Sequence, residues 1–377
     1  MIYLDHNATT PVLPEVVEAM MPFFREEWGN PSSSYRFGSR VKKAIETARE
    51  QVAELIGAHP LEIVFTSGGT ESDNTALHAM LRADPVKQHI ITSAVEHSAV
   101  LTFCRELEKT GFRITYLPVD RDGLLSISDL ENAITPETAG VSLMWANNET
   151  GVLFPVEEIA ALCRSRDILF HCDAVQAAGK IPIDLKNVPV DYLSLTGHKI
   201  GAPKGVGALF VRRKAPFSAF IQGGHQERGR RGGTESVPLV AGLGLAAEIA
   251  RKKTAAFDGK VRPRRDSLEQ GILNAIPQTE LNGHPTLRLA NTTNITFHGI
   301  ESEALLLLLD QAGICASSGS ACLTDSPDPS HVVAAMKPGS AARHCIRFSL
   351  GATNTAKDVS ETISAIKGIA SSLTEAR

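Results

Sequence analysis

The 377-residue sequence lacks the features that mark several large classes of protein. No apolar run approaches the roughly 20 residues that a membrane-spanning helix needs, and MIYLDHNATTP has no charged-then-apolar leader pattern. A cytoplasmic chain with no membrane partner is the expectation. There is no excess of positive charge: 38 Lys and Arg stand against 42 Asp and Glu, a formal net charge of -4, so no basic face argues for nucleic acid. Cysteine is sparse. The six, Cys104, Cys163, Cys172, Cys315, Cys322 and Cys345, form no CxxC pair and no disulfide framework, and are read as free thiols. No internal repeat or low-complexity tract is present. What is left is a globular chain long enough for one large fold and a smaller one, with a small molecule or another protein as its partner.

Ser39 to Ile56 places Val41, Ile45, Ala48, Val52 and Leu55 at helical spacing and predicts an amphipathic helix. After it, short β-rich runs alternate with helical ones: EIVFT then ESDNTALHAML, HIITS then SAVLTFCRELEKT, VSLMWA then VEEIAALCRSR, followed by ILFHC, DYLSL and VGALFVRR. Such alternation implies crossover connections and a mostly parallel sheet covered on both faces, an α/β fold. The charged, proline-containing stretch KKTAAFDGKVRPRR, Lys252 to Arg265, is taken as the end of the large domain. Fewer strands and helices follow in a smaller α+β layer. The expected division is 15–255 for the large domain, with 1–14 and 256–377 forming the small one.

In an open α/β sheet, ligands sit beyond the carboxyl ends of the strands, so the loops there carry the argument. After EIVFT comes Ser67-Gly68-Gly69-Thr70-Glu71 and then a helix, a pattern that suits a phosphate cradle and equally an ordinary turn. It lacks the GK[ST] ending of a nucleotide P-loop. Gly242 to Ala247 matches a dinucleotide GxGxxA pattern but lies in a helical stretch with no preceding strand, and is discarded. The strand ILFHC ends in Asp173, with Gln176 close behind. DYLSL ends in Thr196-Gly197-His198-Lys199. A lysine directly after a buried strand is unusual: it can form an imine with an aldehyde while Thr196 and His198 donate to a phosphate. Three signals, each weak alone, converge on pyridoxal 5'-phosphate (PLP). The acid's part can be sized, because opposite charges about 4 Å apart attract by about 4 kcal/mol at an effective dielectric near 20, enough to keep the pyridine nitrogen protonated.

One thiol stands apart. SSGSACLTDSPDPSH, Ser317 to His331, sets Cys322 among small, polar, turn-forming residues, where the other cysteines sit in or beside apolar segments. Its seven-residue spacing from Cys315 fits neither a redox pair nor a zinc site, and no metal is expected.

At these residues the sequence resembles the cysteine desulfurases of the class V aminotransferase family, most closely the nitrogen-fixation type. The resemblance runs over nearly the whole chain: LDHNATTP, NPSSSYRFG, FTSGGTESDN, VEHSAV, ANNETG, HCDAVQAAGK, SLTGHKIGAPKGVGAL, GGHQERGRRGGTESVP, CASSGSACLTDSPDPSH and IRFSLG. It implies PLP-dependent transferase fold type I. It implies further that Lys199 holds PLP and shuttles protons, that Asp173 pairs with the ring nitrogen and Gln176 with the phenolic oxygen, and that His97 stacks on the ring. Gly69, Thr70, Thr196 and His198 would bind the phosphate, with Thr234 reaching the phosphate of the other subunit of a homodimer. Asn148 and Arg347 would hold the substrate carboxylate; on residues alone Arg347 is equally a surface arginine, and His97 equally a helix cap. Cys322 would attack the sulfur of L-cysteine, keep it as a persulfide and deliver it to an iron-sulfur scaffold protein, leaving L-alanine.

With no basic residue beside it, the Cys322 thiol should titrate near ~8.5 unaided, and activation is expected from the site, through His97. Thr196 stands where many relatives have serine and keeps the hydroxyl. Two rivals have been weighed against this reading: a selenocysteine lyase or other aminotransferase-fold enzyme, which has no use for the thiol, and an inactive structural paralogue, which has no use for Lys199.

Overall fold

The computed structural model describes residues 1–319 and 329–375. Cys322 lies outside the described residues.

The chain opens with β1 (Ile2–Tyr3), then α1 (Pro14–Arg25) and α2 (Arg36–Leu55). In α2 the expected face is the buried one: Val41, Ile45, Ala48 and Val52 are at most 2% exposed. Each fully buried Val or Ile side chain contributes about 1.5–3 kcal/mol. The large sheet and its helices follow in order: β2 (Ile63–Thr66), α3 (Gly69–Ala83), β3 (His89–Ser93), α4 (Ser98–Lys109), β4 (Arg113–Leu117), α5 (Ile127–Ala133), β5 (Thr138–Met144), α6 (Val156–Ser165), β6 (Leu169–Asp173), β7 (Tyr192–Thr196) and β8 (Gly207–Val211). Spatial order in the seven-stranded sheet is β2-β8-β7-β6-β5-β3-β4, and β8 alone runs against its neighbours. The mostly parallel sheet expected from the sequence is present.

Adjacent residues of its central strands enter different cores. Ile91, Val141, Leu193 and Leu195 join the cluster that includes α1, α2, α6 and the start of α7 (Val237–Ala275). Ile90, Ala139 and Tyr192 join the cluster built on α3 and α4. Both faces are therefore dry, which is why these strands read as continuous apolar runs instead of alternating ones.

The stretch taken as the end of the large domain is helical. Lys252 to Arg265 lies within α7, a continuous 39-residue helix that accommodates Pro263. Its first half, through Val240, Leu243 and Ala247, packs in the large core; its second half, through Val261, Leu268 and Ile272, packs in another. Its charges lie largely on an exposed helix face, as at Lys252 and Lys253. The discarded GxGxxA motif lies in the same helix, and its glycines serve packing: a Cβ on Gly242 would come within 2.7 Å of Met20, and one on Gly244 within 2.5 Å of Ala48.

Beyond α7 come β9 (Thr279–Asn282), β10 (Thr292–Phe297), α8 (Ser302–Gln311), β11 (Ile314–Cys315), α9 (His331–Met336), β12 (Cys345–Ser349) and α10 (Ala356–Glu375). The order β12-β10-β9 makes an antiparallel sheet, and β11 pairs in parallel with β1. Leu4 sits in the same apolar cluster as Ile295, Phe348 and Ile366, so the N-terminal segment is tied to this smaller layer.

Candidate active site

Because β2, β3, β5, β6 and β7 point the same way, the segments after them meet at one edge of the sheet. A cavity of about 190 Å³ lies there, and it is lined by Gly69, Thr70, His97, Asn148, Asp173, Gln176, Thr196, His198, Lys199 and Arg347, together with Asn7, Ala8 and Asp73. Ten of the residues singled out in the sequence are thus brought together.

The floor begins at the start of α3. Gly68 has φ 156° and ψ -175°, a backbone state that glycine alone adopts readily, and no side chain caps the helix that follows. Its first N–H groups remain for an anion. A Cβ on Gly69 would stand 2.9 Å from Val175, so the loop can lie this close to β6 only without one. Thr196 and His198 face this helix start from β7 and the short turn Gly197–Lys199. Burial, reinforced by Lys199 and Lys204, pushes the His198 imidazole down to about 4.

Asp173 closes β6 and accepts a 2.9 Å bond from the Val175 N–H. Burial pushes its carboxyl up to about 6, opposed by that bond and by Lys199. Asp73, on α3, is buried beside it and is raised further, first by desolvation and then by the charge of Asp173. Two carboxyls this close do not both ionise cheaply. Asp173 makes no ion pair among the described residues, and a cation placed against it would be stabilised.

Lys199 follows β7 directly, as expected. Its Nζ donates to the backbone carbonyls of Asn7 and, at 2.8 Å, Ala8. His97 is both things the sequence allowed. Its Nδ1 caps α4 by accepting from the Ala99 N–H at 3.1 Å, while its ring lines the cavity. An accepting Nδ1 makes the neutral ring the Nε2–H tautomer. Burial, with Lys199 and His331, pushes its pKa down to about 4, so the ring is neutral at neutral pH.

Arg347 is no surface residue: it lies in β12 at 2% exposure. Nη1 donates to the carbonyls of Asn148 (3.0 Å) and Gly319 (2.8 Å), and Nη2 to Asp5 Oδ1 (2.6 Å). Its Nε and the Asn148 Oδ1 are buried without a hydrogen-bond partner among the described residues. Orphaned polar atoms on a cavity wall mark a place that a polar ligand fills. Thr234 is not brought here. It lines a separate cavity of about 80 Å³ with Ser67, Gly205 and Arg231.

Several contributors carried no expectation. Asn7 ties the cavity wall to its surroundings: Nδ2 donates to the Asn148 carbonyl and Thr292, Oδ1 accepts from Asn291 and Lys180, and its carbonyl accepts from Gln176 and Lys199. Lys180, buried behind Gln176, and Asp5, paired with Arg347, were missed as well. The signal was present, since LDHNATTP and HCDAVQAAGK contain them, but nothing in those strings says which residue turns inward.

The sequence profile of the family described as Aminotransferase class-V matches residues 2–361. "Cysteine desulfurase 2" of Trichormus variabilis is 52% identical over 363 residues, 96% of this chain and 91% of that protein. "Cysteine desulfurase NifS" of Azotobacter vinelandii is 50% identical over 374 residues, covering 99% and 93%. Among solved structures, a "NIFS-LIKE PROTEIN" superposes with a TM-score of 0.92 at 37% identity, covering 98% of this chain and 99% of that one.

Proposed function

We infer that this chain, which belongs to the aminotransferase class-V family, is a cysteine desulfurase that converts L-cysteine to L-alanine and passes the sulfur on. The observation that carries the reading is the meeting of Lys199, Asp173 and the start of α3, which no side chain among the described residues caps, in one cavity, with the Arg347 Nε, unpartnered among the described residues, on its wall.

The residues fit PLP. The α3 start, with Thr70, Thr196 and His198, suits a phosphate dianion. Asp173, buried without an ion pair among the described residues, suits a protonated ring nitrogen, and Gln176 suits the ring oxygen. Lys199 is the amine in reach to hold the cofactor covalently. When bound, PLP supplies an electron-withdrawing ring that draws charge from the substrate carbons. Once the substrate amine takes its place, Lys199 would be the base in reach of the proton at the substrate Cα. Arg347 offers Nε to the substrate carboxylate, with its fork already fixed by Asp5 and two carbonyls. His97, its Nδ1 committed to Ala99, presents Nε2–H to the cavity and acts as a donor while the cap holds.

Cys322 is proposed as the sulfur acceptor on the sequence around it. Its sulfur bonds to the substrate sulfur, the substrate Cβ–S bond breaks, and Cβ keeps the electron pair and takes a proton to give alanine. The persulfide left on Cys322 is then available to an iron-sulfur scaffold protein. The position of Thr234, outside its own chain's cavity, supports a homodimer in which it serves the partner's site. No described helix is long and apolar enough to cross a membrane, and a cytoplasmic setting is part of the proposal.

The test is alanine and sulfide release from L-cysteine in the presence of a reductant, comparing wild type with Cys322→Ala while the cofactor absorbance is followed. A variant that still takes cysteine into the cofactor and releases no sulfide supports the assignment. Undiminished sulfide release makes Cys322 a bystander.

A further inference from the structure

Lys180 is a lysine in an unusual place. It follows β6 at 7% exposure, and among the described residues no carboxylate lies within ion-pair distance of it. Its Nζ donates to Gln176 Oε1 at 2.7 Å and to Asn7 Oδ1 at 3.3 Å, both amide oxygens. A buried cation without a counter-ion costs stability and persists where something else is gained.

The geometry points to Lys180 as a positioning residue that fixes Gln176 as a hydrogen-bond donor toward the cavity, so that the site selects a ligand with an acceptor oxygen at that place. An amide can turn over and exchange its oxygen for its nitrogen at almost no steric cost. Here two partners forbid it. The Asn7 carbonyl, which can only accept, takes one N–H of Gln176 Nε2 at 3.0 Å, and the Lys180 ammonium takes Oε1. Gln176 lines the cavity and Lys180 does not, so what Gln176 has left for a ligand is its second N–H. Flipped, it would present a carbonyl and repel the same oxygen. The same ammonium holds Asn7, whose carbonyl also receives Lys199, so one buried charge sets the floor under both residues.

Burial, with Lys199 and Arg347 nearby, lowers the Lys180 pKa well below its usual value. An anionic ligand in the cavity therefore strengthens the ammonium that orients Gln176 toward it. The inference rests on the reading that the ligand is PLP, with its ring oxygen opposite Gln176.

The test titrates the visible band of the holoenzyme against pH in wild type, Lys180→Met, Gln176→Leu and the double variant, and melts each apoprotein. A donor at the ring oxygen competes for the charge that favours proton uptake by the chromophore, so losing the donor raises the titration pH. Lys180→Met and Gln176→Leu should each raise it by about one unit, tenfold in the proton equilibrium, and the double variant no further. The Lys180→Met apoprotein should melt within a few degrees of wild type. Additive shifts in the double variant, or an unshifted band with an apoprotein that melts far lower, would overturn the proposal and leave Lys180 an independent charge or a structural group.

Should Lys180→Met not fold, Gln176→Glu answers the same question. It gives Lys180 a counter-ion and the cavity no donor, and it sets a carboxylate oxygen against the Asn7 carbonyl, so the readout is the band: the titration pH should rise as in Gln176→Leu. An unshifted band would overturn the proposal. A wild-type protein that develops no visible band with PLP would overturn the cofactor reading itself, whatever the variants do.

Discussion

Asp5 Oδ1 accepts a 2.6 Å hydrogen bond from Arg347 Nη2, so one ion pair joins the N-terminal segment to β12 at the wall of the cavity. The arginine side chain is 2% exposed and the aspartate 15%. The pair fixes which edge of the guanidinium would remain for the substrate carboxylate proposed to bind there.

Asp5→Ala should therefore act twice. It leaves a buried guanidinium without its counter-ion, a loss of about 3 kcal/mol in unfolding free energy. It also lets the fork turn, so KM for L-cysteine should rise while kcat changes little. A denaturant melt and a Michaelis curve on the same preparation check this; an unchanged KM would show that the substrate ignores the Arg347 orientation.

A second buried pair lies behind the site. Arg49, on α2, makes a two-armed contact with Glu227, Nη1–Oε2 at 2.7 Å and Nη2–Oε1 at 2.8 Å, and Glu227 Oε2 also takes the Phe65 N–H on β2. Glu227 and Arg228 sit at φ 47° and 60°, a strained turn for residues with side chains, and this contact holds it. Glu227→Ala should cost about 3–5 kcal/mol, because it strands Arg49 at 2% exposure. Arg49→Met with Glu227→Leu should recover much of that loss. A double-mutant cycle by urea unfolding measures it, with a coupling near zero as the contrary result.

His97 caps α4, and one pair of variants separates that duty from the chemical one proposed for it. Asparagine is among the best N-caps and can replace the Nδ1 contact to Ala99, whereas alanine cannot. His97→Asn should melt close to wild type and His97→Ala about 1 kcal/mol lower, while both lose most of the turnover because neither presents the ring or its Nε2–H. Imidazole 15N shifts in wild type should show the Nε2–H tautomer from pH 8 down to about 5, since the folded pKa is about 4. Linkage runs the same way: the unfolded ring takes its proton near 6.5, so this group's contribution to stability is full above 6.5 and fades as the pH falls toward 4.

What could be read in the sequence and what could not divide along physical lines. The helices and strands of the large domain were legible because burial on two faces writes apolar runs, and burial on one face writes the Val41-Ile45-Ala48-Val52 stripe. That Lys252 to Arg265 is helical was not legible, because a charged stretch with a proline looks alike between elements and on the exposed side of a long helix that passes from one core to the next. Ten of the residues that line the cavity stood in motifs. Those that hold them did not announce themselves: the inward turns of Asn7 and Lys180 depend on β6 and the N-terminal segment meeting across 173 residues of sequence, which no local pattern encodes. On residues alone Arg347 could equally have been a surface arginine for the same reason, since its partner Asp5 lies 342 positions away.

Glu96, the neighbour of His97, offers the cleanest pH test in the apoprotein. It is fully buried, its Oε1 accepts from Ser93 Oγ at 2.7 Å and the Met144 N–H at 3.1 Å, and its Oε2 has no partner among the described residues. Desolvation outweighs those two bonds and, with the charge of Asp173, pushes the carboxyl up to about 8. At neutral pH it is therefore a protonated acid that the unfolded chain would ionise. A raised acid costs stability as the pH climbs from its unfolded value of 4.5 to its folded value near 8, by about 1.4 kcal/mol per pH unit, and no further above that. Glu96→Gln keeps the shape and removes the titration. The variant should match wild type near pH 5, then gain on it steadily in unfolding free energy up to pH 8, where the difference levels off. Parallel stability curves across that range would mean that Glu96 stays ionised inside the fold, and that the two hydrogen bonds outweigh its burial.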